Sequence, residues 1–517
     1  MLQKKCAVFL MMGVIFMFNP LAGAQTIPVD CEKMIRWIRS NVSPSTQLPL
    51  SFQIPPDQKQ NVYADMGEAQ SVPGIIERMI VEEGLVIYDG AIGQIALTML
   101  GGDENLQKAY HPLAVYWEGR VGELNHIRAG YPVNSFVYNQ ANPFAVSSDV
   151  RAYGQRGFIF RIINAHGRYN TSDPLDGKTE FKDFPTWPTI HWEDWKPVAG
   201  ENAWVTLAAL HLFHKKYFNA EHQFYEHLGD AVELRLAEEL ARAAILLQAE
   251  NGGIRMAPLG TYHPEDENSV LGEVRHSWWY QQISTENNIS WYAAFRMLYK
   301  ITQKAIYKQA MDKIEYYFKE AWDAEHKFLY QGMTFKNGRW NSNDQHFATD
   351  VQTWGIAALS PETIDEWFGE GAAHAMWQVA KARSGALDRN GKLLGVGYTD
   401  EHDRISVEWT AGAILAAREI AEHYKIDHPQ WAETAAADGR AMRRGVEFLK
   451  AEPAEGQVAY AYSSKRDWIP FGWFSHDPRV LSLASTGWMF FVDYHFNPFF
   501  LPAADLPESS LAFIGMK

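Results

Sequence analysis

Five acidic residues of this 517-residue chain share one position in a recurring pattern. Asp89, Glu201, Glu286, Asp350 and Glu408 each stand at the opening of a segment that continues almost wholly in Ala, Leu, Ile and aromatic residues. Two carboxyl groups can do acid–base chemistry when one is held protonated against a leaving oxygen and the other is ionised to activate water. Inverting glycoside hydrolysis uses such a pair, set about 6.5–9.5 Å apart. Helix starts give a plainer reason for the same residues, because Asp is a favoured N-cap and Glu in a first turn complements the helix dipole. Neighbouring hydroxyls separate the two accounts. Ser284 or Thr285 can cap the segment of Glu286, Ser406 that of Glu408 and Thr349 that of Asp350, which leaves these three carboxylates surplus to capping. Asp89 and Glu201 have no serine or threonine beside them, and capping is the better account there.

Glu286 is the candidate general acid, lying between "WWY" and two asparagines able to bond sugar hydroxyls. Asp350 is the first choice for the base and Glu408 the next. Packed helices lie about 8–10 Å apart, so carboxylates on adjacent ones fall within reach of the inverting geometry. Asp89, Glu201, Trp192, Trp195, Trp279, Tyr280, Asn287, Trp354, Trp409 and Trp488 are candidate substrate-binding residues. Several of the tryptophans fall in polar stretches such as "TWPTIHWEDWKPVAGEN" and "HSWWY", and aromatic faces suit the C–H faces of sugars.

The elements that must hold these residues repeat six times: 88–100, 200–217, 285–302, 349–360, 407–424 and 485–496, the last opening on Ser485 and Thr486. Helices apolar on nearly all sides are buried ones. Between them run charge-laced amphipathic helices at 228–248, 305–323, 361–384 and 428–451. Alternating buried and surface helices make an all-α (α/α)6 toroid of six inner and six outer helices, whereas an open solenoid would leave one face less uniformly apolar. Parallel inner helices would then bring the five carboxylates to one end. The stretch 134–165 alternates like strands and predicts a small β-hairpin inserted at the rim.

The openings "YDGAIGQIAL", "GENAW", "STENNISWYAAF", "ATDVQTWG", "VEWTAGA" and "ASTGW", taken in that order, resemble the six-hairpin glycosidase superfamily of bacterial carbohydrate-active proteins, over residues 75 to 500. The resemblance implies an (α/α)6 toroid with catalytic carboxylates at the mouth of the inner helices, commonly with inversion. It implies carbohydrate, not one reaction, since hydrolases, epimerases and lyases share the fold.

The first 24 residues read as a signal peptide: Lys4 and Lys5, an apolar core and Ala22-Gly23-Ala24. The expectation is a periplasmic or secreted protein, with cleavage near Ala24-Gln25. A segment 25–74 packing on the barrel, a catalytic domain 75–505 with a rim insertion around 118–198 and a tail 506–517 complete the layout. Cys31 is the one cysteine beyond the signal, so no internal disulfide is available. The formal charge of −15 becomes −17 without the signal lysines, which argues against nucleic acid or anionic membrane as partners. A monomer acting on a neutral carbohydrate fits best. No cofactor motif is present: no Walker A, no G-x-G-x-x-G opening a βαβ unit and no G-x-S-x-G. His402 and His476 sit beside acids but lack metal-ligand spacing, and no metal is expected.

The leading expectation is a glycoside hydrolase acting on a glucan-type poly- or oligosaccharide. A polysaccharide lyase or uronate epimerase would need a Tyr or His base and a cation for the sugar carboxylate, which Tyr280, His276 and Arg275 could supply. A non-catalytic sugar-binding protein would keep the aromatic cleft without turnover.

Overall fold

In the computed structural model the described residues are 28–65, 72–121, 158–159, 161–165, 198–258 and 278–502. The expected signal segment, most of the expected rim insertion and the expected tail lie outside them. Six helices of the expected buried kind are present: Ile87–Leu100, Ala199–Tyr217, Thr285–Thr302, Thr349–Leu359, Val407–His423 and Leu483–Asp493. They are called the first to sixth inner helices below. Each packs against the next and the sixth packs against the first, which closes the ring. The toroid is therefore observed, and the open solenoid is not.

Five inner helices are each followed by a returning outer helix: Asp103–Val121, Val232–Leu246, Ala305–Ala321, the pair Pro361–Phe368 and Ala372–Ser384, and Pro429–Gly445. The fourth outer element was expected as one helix over 361–384. It breaks instead at Gly369 and Gly371, whose φ values of 102° and 80° lie in the left-handed region that glycine tolerates. The sixth outer place is taken by a helix from the other end of the chain, Val29–Ser40, packed on the first and sixth inner helices.

The inner helices leave an axis to fill, and they fill it by alternation. Position six of the second, fourth and sixth inner helices is Trp204, Trp354 and Trp488. The same position in the third and fifth is Ser290 and Gly412. The three indoles touch one another, with ring centroids 5.5 Å (204–354), 5.6 Å (204–488) and 5.0 Å (354–488) apart. Tyr88 covers the triangle from the mouth side, and Phe499 meets all three rings from the other. The far end is sealed by the segment after the sixth inner helix. His211 bonds the Pro498 carbonyl, and Arg296 donates to the carbonyls of Ala358 and Phe499.

Short strands lead into the mouth. Gly84–Val86, before the first inner helix, pairs with Ile162–Asn164, so this end of the predicted rim insertion does form a strand; residues 134–157 and 160 lie outside the described residues. Gln282–Ser284, before the third, pairs with a hairpin, Gly332–Lys336 and Arg339–Asn343, that was not anticipated. Its signal was present, since Asn337 and Gly338 take φ of 56° and 75°, the pattern of a type I′ turn.

Gly412 is the tightest point of the axial packing, because a Cβ there would lie 2.5 Å from Trp354 Nε1. Gly412→Ala should destabilise the protein by about 1–3 kcal/mol through overpacking, read as a lower urea midpoint. An unchanged midpoint would show that the indole triangle has slack.

Candidate functional site

The five acidic residues converge at the mouth, and capping accounts for none of the first two. The N-caps of the first and second inner helices are Val86 and Val198, neither with a side-chain cap. Asp89 instead takes a hydrogen bond from Ser51, and Glu201 pairs with Arg161 at 3.0 Å. The expectation that these two cap their helices is therefore overturned. Capping by Ser284 and Ser406 is seen, each accepting from the backbone N–H three residues on. Thr349 does not cap: its hydroxyl is buried and donates to Ser384, and Asp350 accepts from the Val351 N–H at 2.8 Å.

Burial and crowding set the electrostatics. Burial pushes Glu286 up to about 8, with the charges of Asp350 and Glu201 adding to it and the Ser290 and Trp204 side chains opposing. The Ser290 hydroxyl donates to Glu286 Oε1 at 3.0 Å. Burial likewise raises Asp350 to about 7, where the Val351 N–H opposes and Glu408 adds. Glu408 goes to about 8 by burial, with Tyr88 opposing and Asp89 and Glu286 adding. Asp89 goes to about 7 by burial, opposed by Ser51 and raised further by Glu201. Asp89, Asp350 and Glu408 are buried by surface area, while Glu286 and Glu201 keep partial solvent contact. Four carboxyls so placed share protons near neutral pH rather than ionise together.

The proposed binding residues divide. Trp354 and Trp488 belong to the axial triangle and are 3 % and 0 % exposed, so neither offers a face for stacking; they support the floor instead. Trp409 is buried against Tyr398, ring centroids 4.8 Å apart, with Phe471 beyond. Trp279 packs with Val198 and Ala257 beside the second inner helix. Tyr280 carries the Arg255 guanidinium 4.3 Å from its ring centroid. Asn287 is buried against Gly200, where a Cβ would lie 2.1 Å from its Oδ1, and its amide nitrogen has no protein partner among the described residues. Trp192 and Trp195, with Arg275 and His276, lie outside the described residues.

Tyr88, Arg161, Ser290 and Trp204 were missed. Tyr88 donates to Glu408 at 2.6 Å and accepts from Trp488 at 2.7 Å, which ties the first, fifth and sixth inner helices together. Ser290 could have been found, since it stands four residues after Glu286 and so on the same helix face. Arg161 could not, because it arrives from a distant segment. Glu77, Arg466 and His476 form a buried ion cluster: Glu77 meets Arg466 at 2.6 Å and His476 Nδ1 at 3.0 Å. That gives His476 a structural partner. Among the described residues no group of three or more His, Cys, Asp or Glu is arranged to hold a metal, and no helix is long and apolar enough to cross a membrane.

No family model matches the chain, and no curated sequence matches it. Solved structures do. A D-mannose isomerase is 10 % identical over 90 % of this chain and 95 % of its own, with a TM-score of 0.51. A sugar epimerase from a ruminal bacterium is 10 % identical over 90 % and 96 %, also at 0.51. A family 76 glycoside hydrolase from a bovine Bacteroides thetaiotaomicron strain is 10 % identical over 91 % and 78 %, at 0.46. The likeness is one of fold, the closed (α/α)6 toroid.

In the unfolded chain these carboxyls titrate near 4. Their folded values of about 7 to 8 mean that the folded protein holds extra protons between those limits. Stability is therefore greatest at the acid end of that window and falls as pH rises from about 4 to about 8. Glu408→Gln should flatten this slope and exceed the wild type at pH 8 by about 1–2 kcal/mol in urea unfolding. A steeper slope in the variant would contradict the assigned burial.

Proposed function

We propose that the chain is an exported glycoside hydrolase that cleaves a neutral glucan-type poly- or oligosaccharide with inversion. The observation that carries the reading is the pair Glu286 and Asp350 on adjacent inner helices. Neither side chain caps its helix through a serine-like bond, and both are raised into the range where acid–base catalysts work at neutral pH. Glu286, the higher of the two and in partial contact with solvent, is the acid that protonates the leaving oxygen. Asp350, whose carboxylate accepts the Val351 N–H at 2.8 Å, is the base that takes a proton from water. Adjacent inner helices about 8–10 Å apart leave room for that water, as inversion requires. Glu408 supports the pair as a third acid.

A lyase or uronate epimerase is supported less well. Tyr280 is engaged by Arg255 through both ring and carbonyl, and the acidic mouth repels a uronate. Export rests on the N-terminal signal pattern, and monomeric action on the absence of any feature in the sequence that demands a partner.

Glu286→Gln and Asp350→Asn should each lower kcat by about 10²–10⁴-fold on whichever glycan a linkage-defined panel shows to be cleaved. Proton NMR of the fresh product should show the inverted anomer. A retained anomer, an unsaturated product, or deuterium entering at C2 of the sugar from heavy water would each replace this mechanism with another.

A further inference from the structure

Tyr88 is the second residue of the first inner helix, yet its hydroxyl reaches past the sixth to the fifth, 2.6 Å from Glu408 Oε1. The same oxygen lies 2.7 Å from the Trp488 indole nitrogen. An indole N–H can only donate, so the Tyr88 oxygen accepts from Trp488. A buried phenol proton then needs an acceptor of its own, and Glu408 is the bonded one. The order of donation, Trp488 to Tyr88 to Glu408, follows from these two distances and the chemistry of indole.

We propose that Tyr88 is a positioning residue that locks Oε1 of Glu408 through this one-way series, with the Trp409 side chain a second donor to the same carboxyl. The proposal rests on reading the carboxylate ring as the active site. Tyr88 itself is held on three sides, with Trp204 at 5.4 Å and Trp354 at 6.1 Å between ring centroids and Trp488 at its oxygen. The lock is therefore as rigid as the axial packing beneath it.

Other groups face Glu408 from every neighbouring element. Asp89 on the first inner helix, Glu286 on the third and Asp350 on the fourth disfavour its ionised form. Tyr398 and Tyr462, before and after the fifth inner helix, also lie near it, and Arg404 stacks on Tyr398 at 5.2 Å. Against the three acids, the Tyr88 hydroxyl favours the charged form. Removing that hydroxyl must make Glu408 keep its proton longer as pH rises, and a stronger donor at the same place must do the reverse.

The test uses the substrate-free full protein and infrared difference spectra recorded across pH, with the Glu408 carboxyl band identified by its loss in Glu408→Gln. Tyr88→Phe keeps the ring in the axial packing and removes the donor. Its Glu408 band should persist to about tenfold lower proton concentration than in the wild type. Installing 3-fluorotyrosine at position 88, a more acidic phenol of nearly the same shape, should move the band the other way. A Tyr88 that only fills space predicts no movement in either protein. Unmoved bands, or movement of the same sign in both, overturn the proposal, and the fluorotyrosine protein decides alone if Tyr88→Phe does not fold. No glycan enters the measurement, so its outcome is independent of whether hydrolysis is found.

Discussion

The mouth of this toroid depends on how its axis is filled. Six buried helices in a ring enclose an axial space, and three of them fill it with indoles. The filling alternates: tryptophan on the second, fourth and sixth inner helices, serine and glycine on the third and fifth. Each aromatic contact adds about 0.5–1.5 kcal/mol beyond area burial, but the geometric effect matters more. Three mutually touching indoles form a rigid floor, and the side chains one turn nearer the mouth are set by it. Trp488 fixes Tyr88, Tyr88 fixes Glu408, and the Trp204 indole lies toward Glu286.

That floor also dries the site from below. Carboxyl groups set against indoles lose hydration, and their crowding adds repulsion, so protons stay bound to pH values where an exposed Asp or Glu would be fully ionised. The arrangement costs folding stability at neutral pH and is tolerated because the buried helices supply a large core. Such a conflict between local stability and the placement of charge is what an acid–base site requires. Glu201 differs in having the Arg161 guanidinium 3.0 Å from its carboxylate.

The toroid and the carboxylate positions were legible because both are written in local periodicity: six apolar runs, five of them opened by an acid and the sixth by Ser485 and Thr486. The same locality misled at the caps. A missing neighbouring hydroxyl made Asp89 and Glu201 look like capping residues, whereas Ser51 and Arg161 reach them from remote segments. Thr349 looked like a cap and is drawn away to Ser384. Trp354 and Trp488 looked like sugar platforms because aromatic residues near acids suit both a cleft and a floor, and only three-dimensional closure distinguishes the two. The Asn337-Gly338 hairpin was legible and lies in the strand pairing that leads to Glu286. The Tyr88 to Glu408 bond was not, since 320 residues separate its ends.

The helix Val29–Ser40 carries a last consequence. Its inward face, with Cys31, Met34, Ile35, Trp37 and Ile38, rests on the first and sixth inner helices. The sixth is the last inner helix in the sequence, so the seat of this first described helix is complete only with the last. Until Leu483–Asp493 exists, the barrel is an open arc with two unpaired apolar edges and a loose stave. A chain interrupted anywhere before residue 483 therefore has no circle to complete.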